Sequence, residues 1–322
     1  MSILVYTESE EGKFKKTAYE VASYARGVAD MLGTSVTAVT FNASETDLLA
    51  TYGVDKTLKV TNDKLQKFNA HAYASALQQA AEKEGSKVVI LSSSANARYL
   101  APLLAVQLNA GYASNVVALP EGESPFKIKR TAFTNKAFSH TEINTDVKII
   151  GLSKNSFGLK EKEGKNEAED FTPEFKDTDF DIKVESVDRA KDKVTIADAD
   201  IVVSGGRGLK GPENWDMIEE MADILGAATS CSKPVSDMGW RPHGEHVGQT
   251  GKPVAANLYI AIGISGAIQH LAGINASKHK LVINNDPEAP FFKAADYGIV
   301  GDAFDIVPKL NEKLKAFKAQ NS

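Results

Sequence analysis

Gly206, Gly208 and Gly211, in Gly205-Gly206-Arg207-Gly208-Leu209-Lys210-Gly211, satisfy the spacing G-x-G-x-x-G between an apolar run and an amphipathic one. Glycines so placed let a backbone approach a pyrophosphate, and the N-terminus of a following helix favours its charge. A dinucleotide site also wants an acid about 20 residues on, at the end of the next strand. The chain offers Thr229-Ser230-Cys231-Ser232 there, with no acid. On its own, the motif therefore reads as a tight strand-to-helix turn. Arg207 is the deviation with chemical meaning, since a guanidinium in a glycine turn suits a phosphate or an electron-rich ring.

Further candidates follow along the chain. Val247-Gly248-Gln249-Thr250-Gly251-Lys252 offers backbone N–H groups and a hydroxyl on a loop, without the spacing of a Walker motif. Gly263-Ile264-Ser265-Gly266-Ala267-Ile268-Gln269-His270 runs from strand through small residues into a helix, the geometry of an anion site. It resembles a nucleophile elbow, but the fifth position is Ala267, and no acid lies between Ser265 and His279. A satisfied core histidine is the plain reading of His270. His243 and His246 could pair on a metal, but no second cluster accompanies them. Cys231 reads as a small buried residue. Asn284 and Asp302 each follow a strand, where α/β folds present ligand contacts.

The elements that must position these groups follow from the spacing of apolar residues. In the first part, strands over 3–7, 35–41, 87–91 and 116–119 alternate with helices over 17–32, 69–83 and 98–108, closed by Gly33, Gly85 and Gly111. This rhythm predicts an N-terminal α/β domain, residues 1–190, with a mainly parallel sheet. Strands are then expected over 128–134, 145–152 and 181–187. The stretch 160–179, rich in Glu, Lys and Asp, reads as an exposed mobile connection. A C-terminal doubly wound α/β domain, residues 196–322, is expected to restart the pattern with a strand over 200–204. A helix over 212–225, strands over 258–264, 280–284 and 297–300, and a last helix over 307–317 complete it.

The 322 residues suffice for two domains of ordinary size, and a net charge of -5 argues against a general nucleic-acid binder. A single cysteine excludes an intrachain disulfide and fits a reducing compartment. Met1-Ser2-Ile3-Leu4-Val5-Tyr6 goes straight into a strand, so no signal peptide is expected, and no apolar run has the length of a membrane span. A cytoplasmic location is the simplest expectation.

Read as one string, LYIAIGISGAIQHLAGI and VINNDPEAPFFKAADYGIVGD, within 258–302, resemble the signature of the electron transfer flavoprotein alpha subunit family. GGRG and VGQTGK resemble the same family in the same order. The first domain is similar more loosely, through its opening strand, Arg98-Tyr99-Leu100-Ala101-Pro102 and Gly111-Tyr112-Ala113-Ser114.

The resemblance implies a heterodimer with a beta subunit and a C-terminal domain supplying most contacts to one FAD. It implies an electron carrier rather than an enzyme. Electrons would come from flavin dehydrogenases, such as acyl-CoA dehydrogenases in fatty acid beta-oxidation, and go to a membrane quinone reductase. The N-terminal domain would be nucleotide-hydrolase-like in fold and would hold the beta subunit. That subunit binds AMP in many members and a second FAD in a bifurcating subgroup.

Carried over by position, the cofactor contacts are Arg207, Ser232, the loop Val247, Gly248, Gln249 and Thr250, and the turn Ser265, Gly266, Ala267, Ile268, Gln269 and His270. Thr250 would lie near the flavin N5 and His270 near O2. Asn284 and Asp302, with Ala303 beside it, match contacts on the ADP side. Lys233 stands where the family commonly has arginine. A one-electron carrier needs donors or cations near N1 and O2 and no acid–base pair for turnover. The alternatives are an oxidoreductase using NAD on the GRGLKG turn, a bifurcating flavoprotein, or an interaction subunit with a vestigial site.

Overall fold

The computed structural model describes residues 2–187 and 194–320. The chain divides into two compact units, residues 2–132 with 137–187 and residues 194–320 with 133–136. The boundary expected between residues 190 and 196 falls partly outside the described residues.

The first unit runs β1 (Ser2–Tyr6), a short ribbon β2 (Ser9–Glu10) and β3 (Lys13–Phe14), α1 (Lys16–Leu32), β4 (Ser35–Phe41), α2 (Leu48–Thr51), β5 (Lys56–Val60), α3 (Ala70–Glu84), β6 (Val88–Ser92) and α4 (Ala97–Gln107). It continues with β7 (Gly111–Val116), β8 (Lys127–Ala132), β9 (Ala137–Glu142), β10 (Lys148–Leu152) and β11 (Glu167–Asp170). The main sheet has the order β11-β5-β4-β1-β6-β10-β7-β8-β9. It is parallel except where β7, β8 and β9 pair antiparallel. All of β1 is buried because helices cover both faces. Ile3 and Val5 pack with Val21, Tyr24 and Val28 of α1, while Leu4 and Tyr6 pack with Leu77 of α3 and Leu100 of α4. The Asn69 side chain accepts the His71 and Ala72 N–H groups at the start of α3, and Gly85 closes that helix at φ 61°.

Three expectations for this unit are corrected. The charged stretch 160–179 is packed rather than free: β11 adds to the edge of the sheet beside β5. Glu169 receives Lys56 at 2.7 Å and Lys83 at 2.5 Å, hydrogen bonds that draw its carboxyl down to about 2. Phe171, Phe175 and Phe180 pack against the core. Charges that look like a solvated run in sequence thus meet partners from distant elements. Residues 181–187 form no strand. The Ile182 carbonyl accepts from the Asn69 amide and the Val184 and Glu185 carbonyls from Lys67, so side chains take the bonds a ladder would need. The strand expected over 116–119 ends at Val116, and β9 was not anticipated.

The second unit runs β12 (Ile201–Gly205), α5 (Asp216–Leu225), β13 (Ala228–Cys231), α6 (Lys233–Asp237), β14 (Leu258–Ile262), α7 (Ile268–Ile274), β15 (His279–Asn284), β16 (Tyr297–Val300) and α8 (Ala303–Gln320). Its five-stranded sheet is parallel throughout, in the order β13-β12-β14-β15-β16. Val203, Ile260 and Ile262 face α5 and α8, packing with Ile218, Met221 and Val307. Val202, Tyr259 and Ala261 face the other way, with Ile274 and Phe291. The chain winds one way from β12 to β13 and returns across β12 to β14. The order reverses between those two strands, which is where a doubly wound sheet opens a crevice at its carboxyl edge.

Candidate functional site

A cleft of about 560 Å³ lies at that reversal. Its walls come from the loops leaving β12 (Arg207, Gly208), β13 (Ser232, Lys233, Pro234), β14 (Gly263, Ile264, Ser265) and β15 (Asn284, Asp286). The segment 246–250 and the start of α7 close it with His246, Val247, Gly248, Gln249, Thr250, Ala267, Gln269 and His270.

Close backbone packing holds these loops together. A Cβ on Gly208 would stand 2.7 Å from the Gly263 Cα, and one on Gly206 would overlap the Gly263 carbonyl. Gly206 and Gly208 therefore serve loop-to-loop contact, whereas a Cβ on Gly211 would meet the Glu213 side chain. Two short 3-10 turns, Arg207–Leu209 inside the string and Pro212–Asn214 after it, precede α5, which begins at Asp216. No helix N-terminus follows the glycine turn directly, as a dinucleotide fingerprint would require. The Val247 N–H donates to the Cys231 carbonyl at 3.0 Å and the Gln249 N–H to the Gln269 carbonyl at 2.7 Å, which ties the 246–250 segment to β13 and to α7. Arg241 braces the same segment: its guanidinium meets the Glu245 carboxylate with two bonds of 2.8 Å, Glu219 of α5 at 3.0 Å, and the face of Trp215.

The electrostatics divide between mouth and wall. Arg207, Lys233, Gln249, Thr250 and Ser265 are exposed at the cleft, while His246 and His270 are buried at 2% and 7% exposure. Burial, helped by nearby His246, lowers the His270 pKa to about 4. His246 is lowered as well, by burial first and then by His243 and Lys233, with Asp237 opposing. At neutral pH both imidazoles are neutral, so the cations at the cleft are Arg207 and Lys233. The Tyr259 hydroxyl lies 2.9 Å from His270 Nε2. Nδ1 of His246 and Nδ1 of His270 have no hydrogen-bond partner of normal geometry among the described residues. Cys231 is fully buried and its thiol is pushed up to about 12 by burial, so it is not a nucleophile.

Most of the residues singled out by sequence thus share one cleft. Four do not line it. Gly266, at φ 84°, backs onto Phe291, where a Cβ would come within 2.5 Å of the Phe291 nitrogen. Ile268 is 66% exposed. Asp302 accepts the Phe304 N–H at 3.0 Å, capping α8, and stands 3.9 Å from Lys210. Ala303 packs in the core beneath it. Asn284 lines the cleft, but its amide is already engaged, donating to the Ile264 carbonyl at 3.0 Å and accepting from the Asp286 N–H at 3.0 Å. His246, Asp286 and Ile264 were not expected in the wall. The signal for His246 was its place beside Val247. His243 and His246 have ring centroids 5.4 Å apart, and no group of three or more metal-ligating side chains gathers among the described residues.

Comparison with known proteins decides the family. Residues 3–175 match the electron transfer flavoprotein domain, and residues 195–275 match the electron transfer flavoprotein FAD-binding domain. The chain belongs to the electron transfer flavoprotein alpha subunit family. It is 35% identical to the electron transfer flavoprotein subunit alpha of Thermoanaerobacterium thermosaccharolyticum, over 98% of each chain. It is 34% identical to the subunit of the same name from Bacillus subtilis, over 97% of each. Protein FixB of Clostridium saccharobutylicum is 32% identical over 97% of this chain and 96% of its own. The cofactor of the family's second domain is FAD. The cleft fits it: the volume is that of a cofactor site, cations stand at the mouth, and two buried imidazole nitrogens in the wall await partners. Among the described residues no helix is long and apolar enough to cross a membrane.

Proposed function

We propose that this chain forms a heterodimer with an electron transfer flavoprotein beta subunit and holds one FAD in the cleft between β12 and β14. It carries electrons from flavin dehydrogenases, acyl-CoA dehydrogenases among them, to a membrane quinone reductase. The observation that carries this reading is the composition of the cleft, which presents cations, hydroxyls and neutral imidazoles. Asp286 is the one carboxylate among its lining residues. Such a site binds and tunes a group without turning over a substrate.

When bound, FAD supplies the electron-accepting ring. Arg207 and Lys233 place positive charge at the cleft, which favours an anionic ligand and an added electron. Thr250, Gln249 and Ser265 offer donors. Gly248 at φ 153° takes a backbone conformation that side chains rarely adopt, and leaves room for close approach. Val247 and Ile264 supply apolar wall that excludes water. Asn284 ties the loop after β15 to the loop after β14 and so fixes the width of the cleft.

The test is to co-produce this chain with its beta partner, extract the cofactor and separate it by chromatography. One FAD per heterodimer is the expected result. Recovery of NAD, or an intact heterodimer without flavin, overturns the reading.

A further inference from the structure

We infer that Tyr259, which does not line the cleft, is a positioning residue: its hydroxyl fixes His270 in the tautomer that carries its proton on Nδ1. The inference rests on the cleft being the FAD site only for its consequence, not for its geometry.

Tyr259 stands in the middle of β14 and is fully buried. Its ring lies parallel to that of Phe291, with centroids 6.5 Å apart, and Phe291 also flanks His270 at 6.1 Å. Both rings are thus confined, and the contact of 2.9 Å between the phenol oxygen and His270 Nε2 is held from both sides. A neutral imidazole has one nitrogen that donates and one that accepts, and the bond made at one decides the other. Burial pushes the Tyr259 hydroxyl up, so it keeps its proton.

The direction of the bond follows from what else surrounds the phenol. Ser204 and Ser230 face each other across β12 and β13, and both are fully buried. Neither hydroxyl makes a hydrogen bond of normal geometry with the phenol or with any other described residue, although both lie near enough to oppose the upward shift caused by burial. The one hydrogen-bond contact of the phenol among the described residues is therefore His270 Nε2, and the buried hydroxyl proton is satisfied only if that nitrogen is bare and accepts it. That leaves the imidazole proton on Nδ1, which makes no hydrogen bond of normal geometry among the described residues although the Val247 backbone lies beside the ring. A free imidazole in water prefers the opposite tautomer. The pair Tyr259 and His270 thus converts a ring without a fixed donor into one, aligned before any ligand arrives.

Two measurements on the full chain test this. The chain has six histidines, so uniform 15N-histidine labelling gives a spectrum simple enough to assign with His270→Asn. Without flavin, His270 should show the Nδ1–H pattern from pH 8 down to about pH 5, and Tyr259→Phe should abolish that pattern. A wild-type His270 in the Nε2–H form overturns the inference, with no variant needed and whatever the cleft binds. In the second measurement, Tyr259→Phe should weaken FAD binding about tenfold, the loss of one buried hydrogen bond. In a His270→Asn background the same change should matter less than about twofold, because Tyr259 acts through the imidazole. Equal losses in both backgrounds would show that Tyr259 only fills the core.

Discussion

Gly273 of α7 and Gly248 of the cleft loop meet backbone to backbone: a Cβ on Gly273 would stand 2.6 Å from the Gly248 Cα. In an open helix, replacing glycine by alanine stabilises by about 1 kcal/mol. Here the added methyl would drive the 246–250 segment away from α7. Gly273→Ala is expected to cost about 1–3 kcal/mol as overpacking and to release FAD. Gly226→Ala is the control. That glycine has φ 64° and nothing within 4 Å, so the change should cost about 1 kcal/mol of left-handed strain and leave the flavin bound. Denaturant titration and flavin retention on a desalting column separate the two.

His270 makes stability depend on pH. Its folded pKa of about 4 lies below the 6.5 of an unconstrained imidazole, so between those values the unfolded chain binds more protons than the native one. Stability therefore rises with pH across that window and is lost as pH falls through it. His246, also lowered, acts in the same direction. Between pH 7 and pH 5 the flavin-free protein should lose about 1–2 kcal/mol on account of His270. His270→Gln should flatten that loss. If urea midpoints of wild type and variant fall in parallel from pH 7 to pH 5, the imidazole is not held neutral.

Arg241 joins α5 to the segment that closes the cleft, through Glu219, Glu245 and Trp215. Its guanidinium is held raised, chiefly by the Glu245 hydrogen bonds. Arg241→Ala should destabilise by about 2–3 kcal/mol, since it removes the paired bonds to Glu245 and the contact with Glu219 and uncovers an aromatic face. Arg241→Lys should recover less than half, lacking the planar fork. Thermal melts and the rate of flavin loss measure both effects, and a silent Arg241→Ala would remove the brace from the account.

Lys233 is exposed at the cleft mouth. One charge there favours the reduced flavin, and solvent screens it. Lys233→Ala should lower the midpoint potential by on the order of 50 mV, and Lys233→Arg should move it by less than half as much. A redox titration of the assembled flavoprotein decides: equal potentials for wild type and Lys233→Ala would place the ammonium in solvent, away from the ring.

The chain's local rules were legible in its sequence. Apolar spacing placed α1, α3 and α5, and Gly33, Gly85 and Gly226 ended them in left-handed conformation. Those features depend on residues within a turn or two of one another. The strings GGRG, VGQTGK and GISGAIQH also named most of the cleft wall, because each loop carries its donors with it. What the sequence did not reveal was non-local. Whether Glu167–Asp170 is a free tail or a strand depends on β5 lying alongside, with Asn166 reaching Thr57 across the chain. Whether His270 is a cation or a neutral donor depends on Tyr259, Phe291 and His246 surrounding it. Whether Asn284 greets a ligand or braces a wall depends on the Ile264 carbonyl beside it. Burial and pairing are properties of the sheet order, which brings the ends of β12, β13, β14 and β15 to one edge, and no local pattern encodes that distance.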